Sequence, residues 1–361
     1  MILHHYERDL ITYYPYYIHK KLLQIVPPIL IIIGTSGNLL SFLVLRKHTV
    51  QIPLYLYLCV LSILDLLILY VGLLRLWVGQ IWAVDPRNGS RLMCKLVVFI
   101  GYVCSDASVW TIVTITAERF FAVCRPLPTK SVLSCTRLTK VWVFAPIVLF
   151  SIINSHFFFT VDLRSVQNVS LCYTVDQFDI LVNKTWPWVD AALYSFIPTL
   201  IIVFLNTKIV QKFLKAKKKR KFLRTHDYLK NDNVRRRRDS VGSRKFTVML
   251  LMVSMTFLVT TLPNNVALIV TAFWNDYGES AENVVIFTLI KTVTELLMYT
   301  NHAINFFLYC ASGKKFRRHL IGLCTKSEIS RRFDSERTPL NTIGSVRDTR
   351  INTTELKETV N

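Results

Sequence analysis

The sequence predicts an all-α membrane protein, a bundle of seven transmembrane helices followed by a short amphipathic eighth. Hydrophobic residues make up 52% of the 361-residue chain, and the mean hydropathy is +0.37, more apolar than soluble domains of this length. Its apolar residues gather in runs long enough for a helix to cross about 30 Å of hydrocarbon, which takes about 20 residues. The formal charge of +21 is concentrated beside the ends of those runs.

Reading the runs between charged or turn-rich breaks places spans near 22–46, 54–78, 91–124, 139–160, 187–213, 245–273 and 283–310. Residues 1–21 are polar and Tyr-rich without a cleavable-signal pattern, so the first span is expected to direct insertion itself. The third span carries Asp106 and ends in charge, which makes it the least regular of the seven. The basic loop 215–244 and the tail 325–361 lack apolar periodicity and are expected to be disordered. Between the last span and the tail, 312–324 reads as an amphipathic helix. No internal repeat is apparent, which argues against the duplicated halves common in transporters.

Orientation follows from basic residues in short loops. Arg46-Lys47-His48, the stretch from Arg119 to Lys140, the loop from Lys208 to Lys245 and the tail fall on one side, which is then cytoplasmic. Only Lys20 and Lys21 argue the other way. The glycosylation triplets beginning at Asn88, Asn168 and Asn183 all fall on the opposite, extracellular side with the N-terminus, as expected of a multi-pass plasma-membrane protein. A fourth triplet, at Asn352, lies in the tail and shows how easily such matches arise. Charge placed in this way marks topology, and no stacking aromatics or nucleic-acid motif accompany it. The eight cysteines form no zinc-like spacing; most lie within apolar runs and read as small hydrophobes.

Polar residues inside spans are costly and therefore candidates for function. Asn38, Asp65, Asp106, Ser108, Glu295, Asn301 and Asn305 are the principal ones. Together with Gly37-Asn38, Leu61-Ser62-Ile63-Leu64-Asp65, Cys94 placed 25 residues before Arg119, Trp142, Pro198, Phe257 with Pro263, and Asn305-Phe306-Phe307-Leu308-Tyr309 followed by Phe316-Arg317, this set closely resembles the rhodopsin-like G-protein-coupled receptors. The ending Asn301 to Cys310 is similar to that of invertebrate neuropeptide receptors of the FMRFamide-receptor type.

The resemblance implies a disulfide between Cys94 and Cys172, holding the second outer loop over a ligand cavity. Asp65, Ser108, Asn301 and Asn305 occupy the positions that form a sodium pocket in the family, and hard oxygen ligands suit a small cation that would favour the inactive packing. A protonated Asp65 in a watered polar network is the other reading, and no further cofactor is implied. Glu118-Arg119-Phe120 resembles the family's Asp/Glu-Arg-Tyr triplet, in which the carboxylate restrains the arginine until a G protein engages it; two charges snorkelling to water are the alternative. Phe257, Pro263, Asn305 and Tyr309 are the remaining candidates for the activation switch. Thr261, Asn206 and Phe306 depart from the family's usual Trp, Tyr and Pro, which puts the aromatic toggle, the tyrosine water link and a strong helix-seven kink in doubt.

Gly101 stands where amine receptors carry an aspartate, so the resemblance points away from a biogenic amine. Arg75, Trp77, Asp190, Tyr194, Lys291, Glu295 and Tyr299 give the outer half a charged and aromatic lining suited to a short amidated peptide. Asp190 or Glu295 would meet an arginine of such a ligand, unless Glu295 is already paired with Arg75.

On the inner side, Ser240 follows Arg237-Arg238-Asp239 either as a basophilic kinase site or within a charge run that only fixes topology, Cys324 is a palmitoylation candidate or an ordinary reduced thiol, and the basic clusters would meet anionic lipid. A heterotrimeric G protein, an arrestin and a receptor kinase are the implied partners. An ion path through Asp65 and Glu295 or a receptor active without ligand are the competing functions, and no nucleophile elbow, metal cluster or phosphate loop suggests an enzyme.

Overall fold

A computed structural model describes residues 13–50, 52, 54–124, 136–166, 169–226, 234–273, 281–313, 316–323 and 325. Asn168, Cys324 and the tail beyond 325 lie outside the described residues. Among the described residues six helices are long and apolar enough to cross a membrane, and a seventh, Ala281–Ser312, has the length but carries Lys291 and Glu295 in its outer half. Side-chain burial is arranged for lipid rather than water. Ile32, Ile152 and Leu200 are 67–70% exposed, whereas Asn38, Asp65 and Asn154 are at most 1% exposed. Apolar surface faces outward and polar groups find partners inside, as a hydrocarbon solvent requires.

Helix α1, Tyr14–Arg46, begins well before the expected residue 22. Its early start is tertiary in origin, because His19 Nδ1 meets Thr292 Oγ1 at 2.6 Å on the last spanning helix. α2 runs Leu54–Trp82 through a π-helical segment, Leu69–Leu74, that widens the turn and re-phases the outer face carrying Arg75. It ends at Ala83, which adopts φ 54°. α3 occupies Arg91–Cys124, as expected, and packs against α2 and three later helices at the centre of the bundle. α4, Thr136–Ile153, continues through a 3-10 turn into Phe157–Thr160.

A short β-hairpin follows in the loop after α4, an addition to the expected helical bundle that leaves its class unchanged. β1, Val161–Val166, pairs antiparallel with β2, Val169–Thr174, placing Leu163 opposite Cys172. α5 starts at Trp186, passes through a π segment, Ala191–Phe196, and extends to His226. Trp110 Nε1 donates to Leu193 O at 2.9 Å within that π segment. α6 spans Val234–Phe273 and α7 spans Ala281–Ser312. Much of 215–244, expected to be disordered, is therefore helical. Its Lys- and Arg-rich sequence has good helix propensity, and the membrane-spanning turns supply the costly nucleus.

The α1–α7 seam depends on small residues. A Cβ on Gly37 would lie 3.0 Å from Phe306 Cβ, so a larger residue there would crowd Phe306. α7 passes through Phe306 without interruption, consistent with the missing proline. Within the expected amphipathic stretch, residues 316–323 are helical, and Gly313 N is bonded back to Tyr309 O at 2.8 Å. In the separate unit His319–Asn361, Thr325 Oγ1 donates to Ile321 O at 3.1 Å.

Candidate functional site

The outer half of the bundle encloses a cavity of about 650 Å³, lined by α2, α3, α5, α6, α7 and the hairpin. Gly101 leaves its α3 wall open, and Tyr194, Asn264 and Tyr299 add polar and aromatic surface. Gly72 makes room for Tyr299, since a Cβ there would lie 2.5 Å from the phenol oxygen. Of the expected lining, Arg75, Gly101, Asp190, Tyr194, Glu295 and Tyr299 reach the cavity. Lys291 is exposed and absent from the lining, while Trp77 turns to α1 and donates from Nε1 to Gln24 O at 3.1 Å.

The cavity's charges are unevenly satisfied. Arg75 Nη1 lies 3.3 Å from Asp85 Oδ2, and Arg87 grips the same carboxylate through Nε at 2.9 Å and Nη2 at 2.6 Å. In the loop after α2, partial burial pushes the Asp85 carboxyl up, but the Arg87 hydrogen bonds and the Arg75 charge outweigh this and hold it below the usual carboxylate range. Arg75 makes its ion pair with Asp85 and none with Glu295, although its charge and that of Lys291 still act on Glu295 at longer range. Asp190 and Glu295 line the cavity with no hydrogen bond or ion pair among the described residues.

A disulfide between Cys94 at the outer end of α3 and Cys172 in β2 holds the roof, with Cα atoms 5.5 Å apart. Cys172 N also donates to Asn88 Oδ1 at 2.8 Å. Phe157 and Val161 pack around Cys94, with Tyr102 and Trp186 against them. Asn88 is half-buried, whereas Asn183 is exposed and donates to Asp179 Oδ1 at 2.7 Å.

Below the cavity, Asp65 joins α2, α3 and α7. Its Oδ2 accepts from Asn305 Nδ2 at 2.7 Å, while its Oδ1 lies 2.8 Å from His302 Nδ1 and 3.4 Å from Ser108 Oγ. Asn38 Nδ2 donates to the backbone oxygen of His302 at 2.8 Å, tying in α1. Asn301 is buried beside this network but makes no hydrogen bond to Asp65, and its Oδ1 has no partner among the described residues. His302, missed in the list of buried polar candidates, contributes the imidazole. Its signal was visible: a polar ring within an apolar span. Asp106 has a partner that was likewise missed: Asn154, in the 3-10 turn after α4, donates from Nδ2 to its Oδ2 at 3.0 Å.

At the inner end, Tyr57 Oη donates to Glu118 Oε1 at 2.9 Å, beside Arg119. Phe120 stands edge-on to Phe121. Phe257 packs with Leu61, Ile112 and Ile202, six residues before Pro263 on α6, and Thr261 leaves its buried hydroxyl without a partner among the described residues. Asn206 Nδ2 donates to Ser254 Oγ at 2.9 Å, a direct α5–α6 link that leaves the buried Tyr309 hydroxyl unpartnered among the described residues. The Tyr309 ring instead meets Phe316 edge-on at 5.7 Å. Arg317 Nη1 caps the end of α7 on the carbonyls of Cys310 and Ala311.

Comparison with known proteins agrees with this architecture. Residues 37–309 match the family model of the 7 transmembrane receptor (rhodopsin family). The growth hormone secretagogue receptor type 1 of Sus scrofa is 28% identical over 80% of this chain and 76% of its own length. The neuromedin-U receptor 2 of Mus musculus is 25% identical over 81% of this chain and 73% of its own. A probable G-protein coupled receptor of Caenorhabditis elegans is 24% identical over 85% and 70%. With a central α3 bearing Arg119, a roofed outer cavity and a family match from within α1 to the inner end of α7, the chain belongs to the rhodopsin family of seven-transmembrane receptors, multi-pass membrane proteins that are not enzymes.

Proposed function

We propose that this receptor binds a short extracellular peptide with a basic group and activates a heterotrimeric G protein through the Arg119 end of α3. The supporting observation is that Asp190 and Glu295 line the cavity without a hydrogen bond or ion pair among the described residues, while the ion pair of Arg75 is made with Asp85. A half-buried carboxylate with no hydrogen bond favours a cationic ligand, and an arginine guanidinium offers two parallel donors to it. Named hormone and neuromedin receptors among the relatives support a peptide-sized ligand.

In this reading the N-terminus is extracellular, the protein resides in the plasma membrane, and Asn183 is the more accessible of the two outer glycosylation asparagines among the described residues. The inner basic clusters meet anionic lipid. Ser240 and Cys324 are a kinase site and a lipidation site, with arrestin and a receptor kinase acting after activation.

The test is a screen of short amidated peptides, with and without arginine, against the full-length receptor using G-protein dissociation as readout. Arginine-containing peptides are expected to activate it, and Arg119→Ala to abolish the response at equal surface expression. A full response from that variant would overturn the coupling assignment, and activation indifferent to peptide charge would overturn the ligand class.

A further inference from the structure

We infer that the polar site joining α2, α3 and α7 is closed by the His302 side chain and does not take sodium. Two hydrogen-bond partners occupy Asp65: His302 Nδ1 stands 2.8 Å from Oδ1, and Asn305 Nδ2 donates to Oδ2 at 2.7 Å. A ring nitrogen and a carboxylate oxygen at this separation require a proton between them, whichever atom carries it. A cation bound to the same oxygen would have to displace that proton or the imidazole. Asp65 and His302 are each at most 1% exposed, so the ring has no solvent into which to withdraw without repacking.

The expected oxygen cage is therefore incomplete. Ser108 lies at 3.4 Å, Asn305 presents its amide nitrogen rather than its oxygen, and Asn301 does not bond to Asp65. Asn38 Nδ2 fixes the backbone at His302 through its carbonyl at 2.8 Å, so the imidazole projects from an anchored turn of α7. The tie between α2 and α7 is supplied by the chain itself and does not depend on an ion from outside. Removing the imidazole leaves hard oxygens on Asp65, Ser108, Asn301 and Asn305, two of which, the amide Oδ1 atoms of Asn301 and Asn305, have no hydrogen-bond partner among the described residues. A smaller residue at this position should therefore open the site to sodium.

The experiment compares thermal midpoints of purified full-length receptor in sodium chloride and in choline chloride of equal ionic strength. Each variant is its own reference, so a general loss of stability does not enter. Wild type is expected to have the same midpoint in both salts, His302→Ser to gain a sodium-specific rise of a few degrees, and Asp65→Asn combined with His302→Ser to lose it. A sodium-specific rise in wild type that Asp65→Asn abolishes would overturn the proposal, as would a folded His302→Ser indifferent to sodium. Should the histidine variants not fold, basal nucleotide exchange by wild-type receptor on its G protein decides: equal rates in both salts are expected, and sodium-specific suppression would overturn it.

Discussion

Tyr57 on α2 donates its phenolic hydrogen to Glu118 on α3 at 2.9 Å, so the carboxylate beside Arg119 is held by a neighbouring helix. A hydrogen bond to a charged group contributes about 1.5–3 kcal/mol. Tyr57→Phe removes it while keeping the ring, which is buried. Basal G-protein dissociation is expected to rise about tenfold at unchanged surface expression, because Glu118 is freer to release Arg119. An unchanged basal rate would show that this bond does not restrain the resting state.

Asp190→Asn and Glu295→Gln remove negative charge from the cavity without changing its volume. Losing a charge-assisted bond of about 1.5–3 kcal/mol should raise the half-maximal concentration of an arginine-containing peptide by about 10- to 100-fold. Lys291→Ala, at an exposed position outside the lining, should leave it within about threefold. Dose-response curves for the three variants check both statements.

The roof depends on two adjacent ties, the Cys94–Cys172 disulfide and the Asn88 hydrogen bond to Cys172 N. Cys172→Ser should destabilise the receptor by about 2–5 kcal/mol. Asn88→Ala should cost about 1–3 kcal/mol, because it leaves a backbone donor unmatched. Thermal melting of each variant, with and without reductant, separates the two, since only Asn88→Ala should remain sensitive to reduction.

Asp85 provides a pH test. Its carboxyl titrates below the unfolded value of about 3.9, so its ties to Arg87 and Arg75 stabilise the folded receptor above that pH and are lost as pH falls through the folded value. Asp85→Asn should therefore melt below wild type near neutral pH, and the gap should close on acidification below about pH 4. A gap that persists at lower pH would assign the Asp85 contribution to something other than its charge.

Helix number, the central placement of α3 and the family were legible because hydrocarbon imposes a strong local constraint. Each spanning segment must be apolar for about 20 residues, and each polar exception stands out against it. Cys94, Asp65, Arg119 and Asn305 could be read in register from one another. The hairpin at 161–174 was not read, since its six-residue strands carry only a weak alternation that β1–β2 pairing makes decisive. Helix ends at Tyr14, His226 and Val234 were misplaced because contacts such as His19 with Thr292, and propagation beyond the membrane, extend helices past their apolar runs.

By itself the sequence determined which residues must be buried in lipid, which side is basic, and which polar groups the bundle has to accommodate. Only the tertiary structure decided how those groups are paired. Arg75 turns to Asp85 and leaves Glu295 open, His302 takes Asp65 in preference to Asn301, and Glu118 is held by Tyr57. Partners more than 60 residues apart, such as Tyr57 with Glu118 or Asp65 with His302, meet through helix rotation and close approach, including the π segment of α2 and the glycine-lined α1–α7 seam. Composition and spacing do not specify that rotation, because a buried polar side chain bonds to whichever complementary group the packed helices bring within about 3 Å.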